Sequence, residues 1–313
     1  MFDKFTKSGV IFSLIIFSLI SLACNREAYD DYNYSEDNNL KVLHEKTFKI
    51  EPGKSLRIEG SSGNIMLTTW DKPEVYIKIM GNEKAERKVR FNFDNDSDEV
   101  EVIARRDDSF FNWSSGIRIK FEVKIPSNFN PNLHTSGGDI RLAGVNGKTL
   151  AKTSGGDILA RYLRGDINIS TSGGDVNLES IKGNIRASTS GGDIDAIDFE
   201  GILDVSTSGG NISLDGKNAE IEATTSGGNV ELRYSGENKG IELSTSGGNI
   251  RISLPADFDA YARLSSSGGS VECDFPANNI RKISANKFEA DLNSGGNPLI
   301  AKTSGGSIRV RTQ

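Results

Sequence analysis

From residue 135 almost to the end, the chain repeats one phrase: Thr-Ser-Gly-Gly, then Asp or Asn, then Ile or Val. Its threonines at Thr135, Thr153, Thr171, Thr189, Thr207 and Thr225 stand 18 residues apart, and the next steps are 20 to Thr245 and 21 to Ser266. A period near 20 is the signature of a solenoid, in which each repeat is one coil that cannot bury its apolar face alone. A second beat lies inside the first. Gly147, Gly165, Gly183 and Gly201 follow nine residues after Gly138, Gly156, Gly174 and Gly192. Each coil therefore reads as two short strands with a glycine corner after each.

Side-chain alternation agrees. Two residues after each Gly-Gly stands Ile140, Ile158, Val176, Ile194, Ile212, Val230 or Ile250, and two further on stands Leu142, Ala160, Leu178, Ala196, Leu214, Leu232 or Ile252. Period-two alternation puts these on one face, and stacked coils bring like residues together at about 4.8 Å. The intervening Arg, Asn, Asp, Glu and Ser suit a solvated outer wall. The same alternation (Ile167, Ile169, Thr171) turns the threonine inward, where its hydroxyl meets neighbouring backbone or the next threonine. Serine then faces out, and the two glycines are expected to supply backbone angles closed to other residues. Asp139, Asp157, Asp175 and Asp193 open the next strand as short acceptors, and the slot becomes Asn211, Asn229 and Asn249 further on.

The fold class expected is all-β: a parallel β-solenoid, a single-stranded β-helix with coils of about 18 residues and right-handed crossovers. Roughly a dozen coils make a rod on the order of 60 Å long. No helical period is visible after residue 40. A degraded phrase at Ser61-Ser62-Gly63-Asn64-Ile65 places the start of the solenoid near residue 45, and RFNFDNDSDEVEVIARR reads as a hairpin turning over Asn95-Asp96. The irregular coils then occupy 45–134 and the regular ones 135–313, with Arg309 and Arg311 guarding the final edge against strand addition.

Residues 1–23 carry Lys4 and Lys7 before an apolar run from Val10 to Ala23, the size of a signal-peptide core and short for a membrane span. The run stops at Ala23-Cys24, which resembles a bacterial lipobox. That resemblance implies cleavage before Cys24 and acylation of its thiol, with membrane lipid as the first partner. Residues 24–44 are acidic and lack apolar periodicity, as a solvated tether would be. Removing residues 1–23 takes the formal net charge from −6 to about −7. This balance argues against nucleic acid and against anionic lipid surfaces. Two cysteines, one of them expected to be acylated, exclude a disulfide framework.

The TSGGDI and TSGGNV phrases, with SLRIEGSSGNIMLTTWDKPEV upstream and LNSGGNPLIAKTSGGSIRV at the close, resemble the bacterial "putative adhesin" domains, a β-solenoid family of unknown function. The resemblance covers residues 45–313. It implies an outer-membrane or cell-surface location and an adhesive role, and relatives also lie near envelope-stress regulators.

Catalytic material is sparse. The only histidines, His44 and His134, lie far apart in the chain. Cys273, in SVECDF, takes an inward slot filled elsewhere by Leu or Ala. The Gly-Gly-Asp phrase lacks the Gly-Lys-Ser/Thr of a phosphate loop and the third glycine of the calcium nonapeptide. The ladder Asp139, Asp157, Asp175, Asp193 is the one candidate for a metal, calcium, and reads first as turn acceptors. No cofactor is expected. The candidate binding surface is RRDDSFFNWSSG, where Phe110, Phe111 and Trp113 lie beside Asp107 and Asp108. Such rings suit sugar stacking or a protein hot spot, and they equally suit a cap over the end of the stack. A second candidate, PADFDAYARLS at 255–265, carries Phe258 and Tyr261 or is only a bulged corner.

The reading is a lipid-anchored, non-enzymatic adhesin-like binding or structural module of the cell envelope, with a surface glycan or envelope protein as ligand. Its rivals are an accessory protein of an envelope-stress system that binds a membrane protein, and a carbohydrate-active enzyme on a β-helix.

Overall fold

The computed structural model describes residues 40–106 and 116–313. Two sheet walls face each other, and each regular coil contributes one strand to each. Wall A stacks Ile140–Ala143, Ile158–Arg161 and the first halves of Val176–Ser188, Ile194–Thr207 and Ile212–Thr225 in parallel, in register until a slip at the corner where Phe199 meets Gly216. Wall B stacks Asn130–Thr135, Thr149–Lys152, Arg164–Ser170 and the second halves of the same long strands. The expected ladders are present. Ile140, Ile158, Val176, Ile194, Ile212, Val230, Ile250 and Ile308 are all buried on wall A, one above another.

Size alternates within the core. Within each coil the second inward residue of wall A and the residue nine positions later on wall B trade size: Leu142 and Ala151, Ala160 and Ile169, Leu178 and Ala187, Ala196 and Val205, Leu214 and Ala223. Where one wall carries the bulk, the other carries alanine or valine, so coils of equal length hold similar core volume, as close packing requires. The pattern breaks at Leu232 and Leu243, where the coil has widened from 18 to 20 residues.

The corners correct one expectation. The glycines of the TSGG phrase are not left-handed. Left-handed backbone falls at the other corner, at Gly144, Tyr162, Ser180 and Asp198 (φ 53–82) and again at Gly147, Gly165, Gly183 and Gly201 (φ 117–153). In the TSGG phrase the requirement is distance. A Cβ on Gly156, Gly174, Gly192 or Gly210 would stand 1.9–2.1 Å from the carbonyl oxygen of the equivalent glycine one coil earlier. The first glycines of these same pairs, Gly155, Gly173, Gly191 and Gly209, meet only ordinary contact or open space.

Stacking order departs from chain order at both ends. The first coil, Ser55–Gly60 and Asn64–Trp70, lies between the coil of Glu99–Arg106 and Ile119–Pro126 and the coil beginning at Asn130. The last coil, Pro298–Thr303 and Ile308–Thr312, is inserted between the coil of Ile241–Thr245 and Ile250–Leu254 and the coil of Ala260–Ser266 and Val271–Cys273. Arg309 and Arg311 therefore sit inside the stack and guard no edge. The first and last coils each gain two neighbours, which protects them from fraying.

Antiparallel strands finish the ends. Lys41–Lys49 pairs with Glu74–Gly81, which pairs with Ile119–Pro126, so residue 45 belongs to an added antiparallel strand and the first true coil starts at Ser55. The expected hairpin is Val89–Asn95 with Glu99–Arg106, turning over Asp96–Asp98, where Asp96 Oδ1 accepts from the amides of Asp98 and Glu99. One helix, Glu83–Lys88, was not anticipated. Asn82 caps it by accepting from the Ala85 amide at 3.0 Å, and six residues are too few for a periodic signal. Beyond Ala260–Ser266, wall B gains antiparallel Lys287–Leu292 and then Ala277–Ser284.

Candidate functional site

The TSGG corner resolves into two hydrogen-bonded brackets between coils. Buried Thr153, Thr171, Thr189, Thr207 and Thr225 each donate Oγ1–H to the glycine carbonyl of the preceding coil at 2.8–2.9 Å. Each also accepts from the second glycine amide of its own phrase at 3.3 Å. The hydroxyl thus meets backbone on both sides, and threonine does not bond to threonine. Thr303 and Ser266 make the same bond, to Gly248 and Gly306, across the inserted last coil.

The acidic slot forms the second bracket. Asp139, Asp157 and Asp175 each present Oδ1 to the amide of the next residue in the ladder, at 3.1, 2.9 and 2.8 Å. Asp193 serves Asn211, and Asn211 serves Asn229 in the same way. An amide oxygen does this work as well as a carboxylate, which is why the slot turns to asparagine without a change in geometry. Among the described residues no group of three or more His, Cys, Asp or Glu is arranged to hold a metal. Asp175→Asn is expected to leave thermal stability nearly unchanged, while Asp175→Ala costs about 1–2 kcal/mol for the orphaned amide. Millimolar Ca²⁺ should not shift the melting temperature of either variant in a thermal scan.

Charges on the outer walls are paired from coil to coil. Arg161 meets Glu179 and Lys182 meets Glu200 at 2.8 Å, and Arg186 meets Asp204 at 3.4 Å. Such exposed pairs contribute about 0–1 kcal/mol each. Asp195 is the exception to this balance. Burial first, then the carboxylates of Asp193 and Asp175, hold it above the usual carboxylate range. The folded state therefore binds that proton more tightly than the unfolded chain does. Its contribution favours folding at low pH and is lost as pH rises through the raised value. Asp195→Asn is expected to raise the melting temperature near neutral pH, with the gain vanishing toward pH ~4 in thermal scans across pH.

Where the repetition breaks, two surfaces emerge. At the N-terminal end the last layer is aromatic. His44 stands edge-on to Phe91 and Phe93 at 5.1 and 5.4 Å, Phe48 stacks on Phe93 at 6.5 Å, and the Lys46 ammonium lies 4.0 Å over the Phe93 ring. Burial and then Lys46 push the His44 imidazole below its ordinary pKa. Phe110, Phe111 and Trp113, which fall in the chain between Glu99–Arg106 and Ile119–Pro126, lie outside the described residues, as do Asp107, Asp108 and Cys24.

The second surface is a cleft of about 440 Å³ where segments 236–238, 255–259 and 295–297 meet beside the inserted last coil. Amides build it. Asn297 Nδ2 donates to the Asn238 carbonyl, and Asn238 Nδ2 donates back to the Asn297 carbonyl, both at 2.8 Å. Asn293 Nδ2 ties down the carbonyls of Ala256 and Phe258, and Asp259 Oδ1 accepts from the Ser294 amide. Phe258 is buried edge-on against Tyr234, whose hydroxyl accepts from the Ala219 amide and donates to the Glu237 carbonyl. The second sequence candidate is thus a bulged corner. Phe258 serves the core, while Tyr261 lies on the outer face of wall B beside Glu289 and Arg281. Exposed Glu237, Asp257 and Asp259 ring the cleft and suit a polar or hydroxylated ligand. Sequence reasoning missed the other two segments because the last coil joins this corner from far along the chain.

His134 lies on wall B paired with Glu59 and Lys152, apart from the His44 strand on wall A. Cys273 is half-buried beside Val310, and burial raises its thiol pKa, which disfavours the thiolate.

Fold and corners together define a repeat-built, two-walled β-solenoid whose variable features sit at its ends and at one widened corner. The chain belongs to the Toastrack family (DUF4097), whose model matches residues 53–311. No curated protein matches it. Among solved structures it is similar to a "putative adhesin" of Parabacteroides merdae, at 14% identity and a TM-score of 0.48 over 88% of this chain and 97% of that one. A "putative adhesin" of Bacteroides fragilis shows 14% identity and a TM-score of 0.45 over 86% and 97%. A "putative lipid binding protein" of Parabacteroides distasonis shows 12% and 0.44 over 88% and 98%.

Proposed function

We propose that the protein is a non-enzymatic binding module held at the cell envelope by an acylated Cys24, with Phe110, Phe111 and Trp113 as its ligand-contacting residues. The observation that supports this reading is the aromatic end layer. His44, Phe48, Phe91 and Phe93 already close the N-terminal end of the stack. An aromatic layer made by other residues, half-buried at this end, lessens the need for the rings at 110–113 as a cap and so supports a contacting role for them. Aromatic faces next to Asp107 and Asp108 suit a surface glycan or an envelope protein. The regular walls, with charges paired and polar brackets satisfied by backbone, serve as a rigid support.

The test is binding of the full chain to a glycan array and to solubilised envelope proteins, with and without alanine at Phe110, Phe111 and Trp113. Tenfold or greater loss of binding with an unchanged melting temperature is expected, each aromatic anchor contributing about 1–2 kcal/mol. Retained binding, or a large fall in melting temperature, returns the rings to a structural role. Metabolic labelling with a palmitate analogue should tag the wild type and miss Cys24→Ser, and equal labelling of both would remove the anchor from this reading.

A further inference from the structure

The two ends of the solenoid are finished differently. At the N-terminal end the helix Glu83–Lys88 and the aromatic layer cover the core, and Lys41 is tied to Glu86 at 2.5 Å. At the C-terminal end the walls are unequal. Wall A stops at the three-residue strand Val271–Cys273, whose Val271 amide donates to the Ala285 carbonyl in the turn of the overhanging hairpin at 2.9 Å, so the open edge is at Cys273. Wall B continues for two more strands, Lys287–Leu292 and then Ala277–Ser284. The outermost, Ala277–Ser284, pairs on one side only, so its other edge carries open backbone donors and acceptors. Among the described residues, two of the strongly exposed large apolar side chains lie on it, Ile280 at 58% and Ile283 at 55% exposure.

We infer that this end is a self-association surface at which two copies of the chain join about a two-fold axis, the overhanging wall of each filling the recess left by the short wall of the other. Shape permits it, because a two-strand overhang on one wall and a matching deficit on the other interlock when one copy is turned to set wall B against wall A. Charge favours it. The overhang carries Lys282 and the short wall ends at Asp274, while Arg281 and Glu272 are already paired within the chain, with Asp291 at 3.4 Å and Arg309 at 2.7 Å. Pairing Ala277–Ser284 with its own copy would instead set cations against cations. The register is irregular between Asn278 and Lys282, where Asn279 is left-handed (φ 44), so the regular half from Lys282 to Ser284 supplies the new backbone bonds. Joining buries Ile280 and Ile283, which otherwise stand in water without a structural purpose. A two-fold joint is closed, giving a dimer and no fibre.

The test is the protein mass of the full chain in non-ionic detergent, by light scattering across a concentration series. The expected result is a rise from one chain to two. Ile280→Lys with Ile283→Lys should move the midpoint to at least about tenfold higher concentration, since each removes exposed apolar area from the joint. Because both positions are exposed, the melting temperature of the dilute monomer should not change. Asp274→Lys should weaken the dimer, and adding Lys282→Glu should recover it by exchanging the charges. A one-chain mass at every concentration, a dimer indifferent to the isoleucine changes, no recovery in the charge exchange, or a dimer broken instead by Phe91→Lys at the opposite end would each overturn the inference.

Discussion

Gly174→Ala is expected to destabilise the solenoid by about 3–5 kcal/mol, more than the roughly 1–3 kcal/mol of ordinary overpacking. The new methyl carbon would lie 2.1 Å from the Gly156 carbonyl oxygen, which is backbone held in the ladder and cannot turn aside. The coils would have to part, stretching both the threonine bond to Gly156 and the Asp157 bond to the Asp175 amide. Its neighbour is the control. A methyl on Gly173 meets nothing closer than 3.7 Å, and the position is not left-handed, so Gly173→Ala should change stability by less than about 1 kcal/mol. Urea titration followed by circular dichroism separates the two, and similar losses for both would contradict the close-approach explanation. Because solenoid stability is carried by nearest-neighbour contacts, the damage should centre on the coils either side of residue 174.

The second large effect lies in the core. Leu178→Ala should cost about 2–5 kcal/mol, since the residue is buried and the stacked ladders above and below limit collapse. Ala187→Leu alone should cost about 1–3 kcal/mol through overpacking on the opposite wall. The double change moves the bulk from wall A to wall B within one coil, the arrangement that Ala160 and Ile169 already use one coil earlier. It should therefore lie above the sum of the single variants by about 0.5–3 kcal/mol, a coupling that a double-mutant cycle measures directly. Strict additivity would show that the two walls do not share volume.

Much of the coil was legible in the residues. The 18-residue beat located the corners, and alternation sorted Ile158 and Ala160 inward and placed Thr171 at the end of its strand. The loss of charge from Asp193 to Asn211 marked a slot filled by a short acceptor, and in the structure those acceptors bond the amide of the next rung. The reason for the TSGG glycines was read less well. Composition shows that glycine is required without saying whether angle or distance requires it, and here angle governs Gly165 and distance governs Gly156. The cleft was half visible, because the widened coils mark segments 236–238 and 255–259 locally, while 295–297 reaches them from far along the chain.

What the sequence determined by itself is the coil: its length, its inward and outward residues, and the polar brackets that bind it to a neighbour. These follow from local alternation and from a corner whose donors and acceptors match any copy of itself. That same interchangeability left the order of coils open. A Thr303 coil fits equally well on Thr245 or on Ser266, and in the folded chain it touches both. Only the tertiary structure decided that the first and last coils are tucked inward, because antiparallel strands close the ends and leave each terminal coil a slot between two partners.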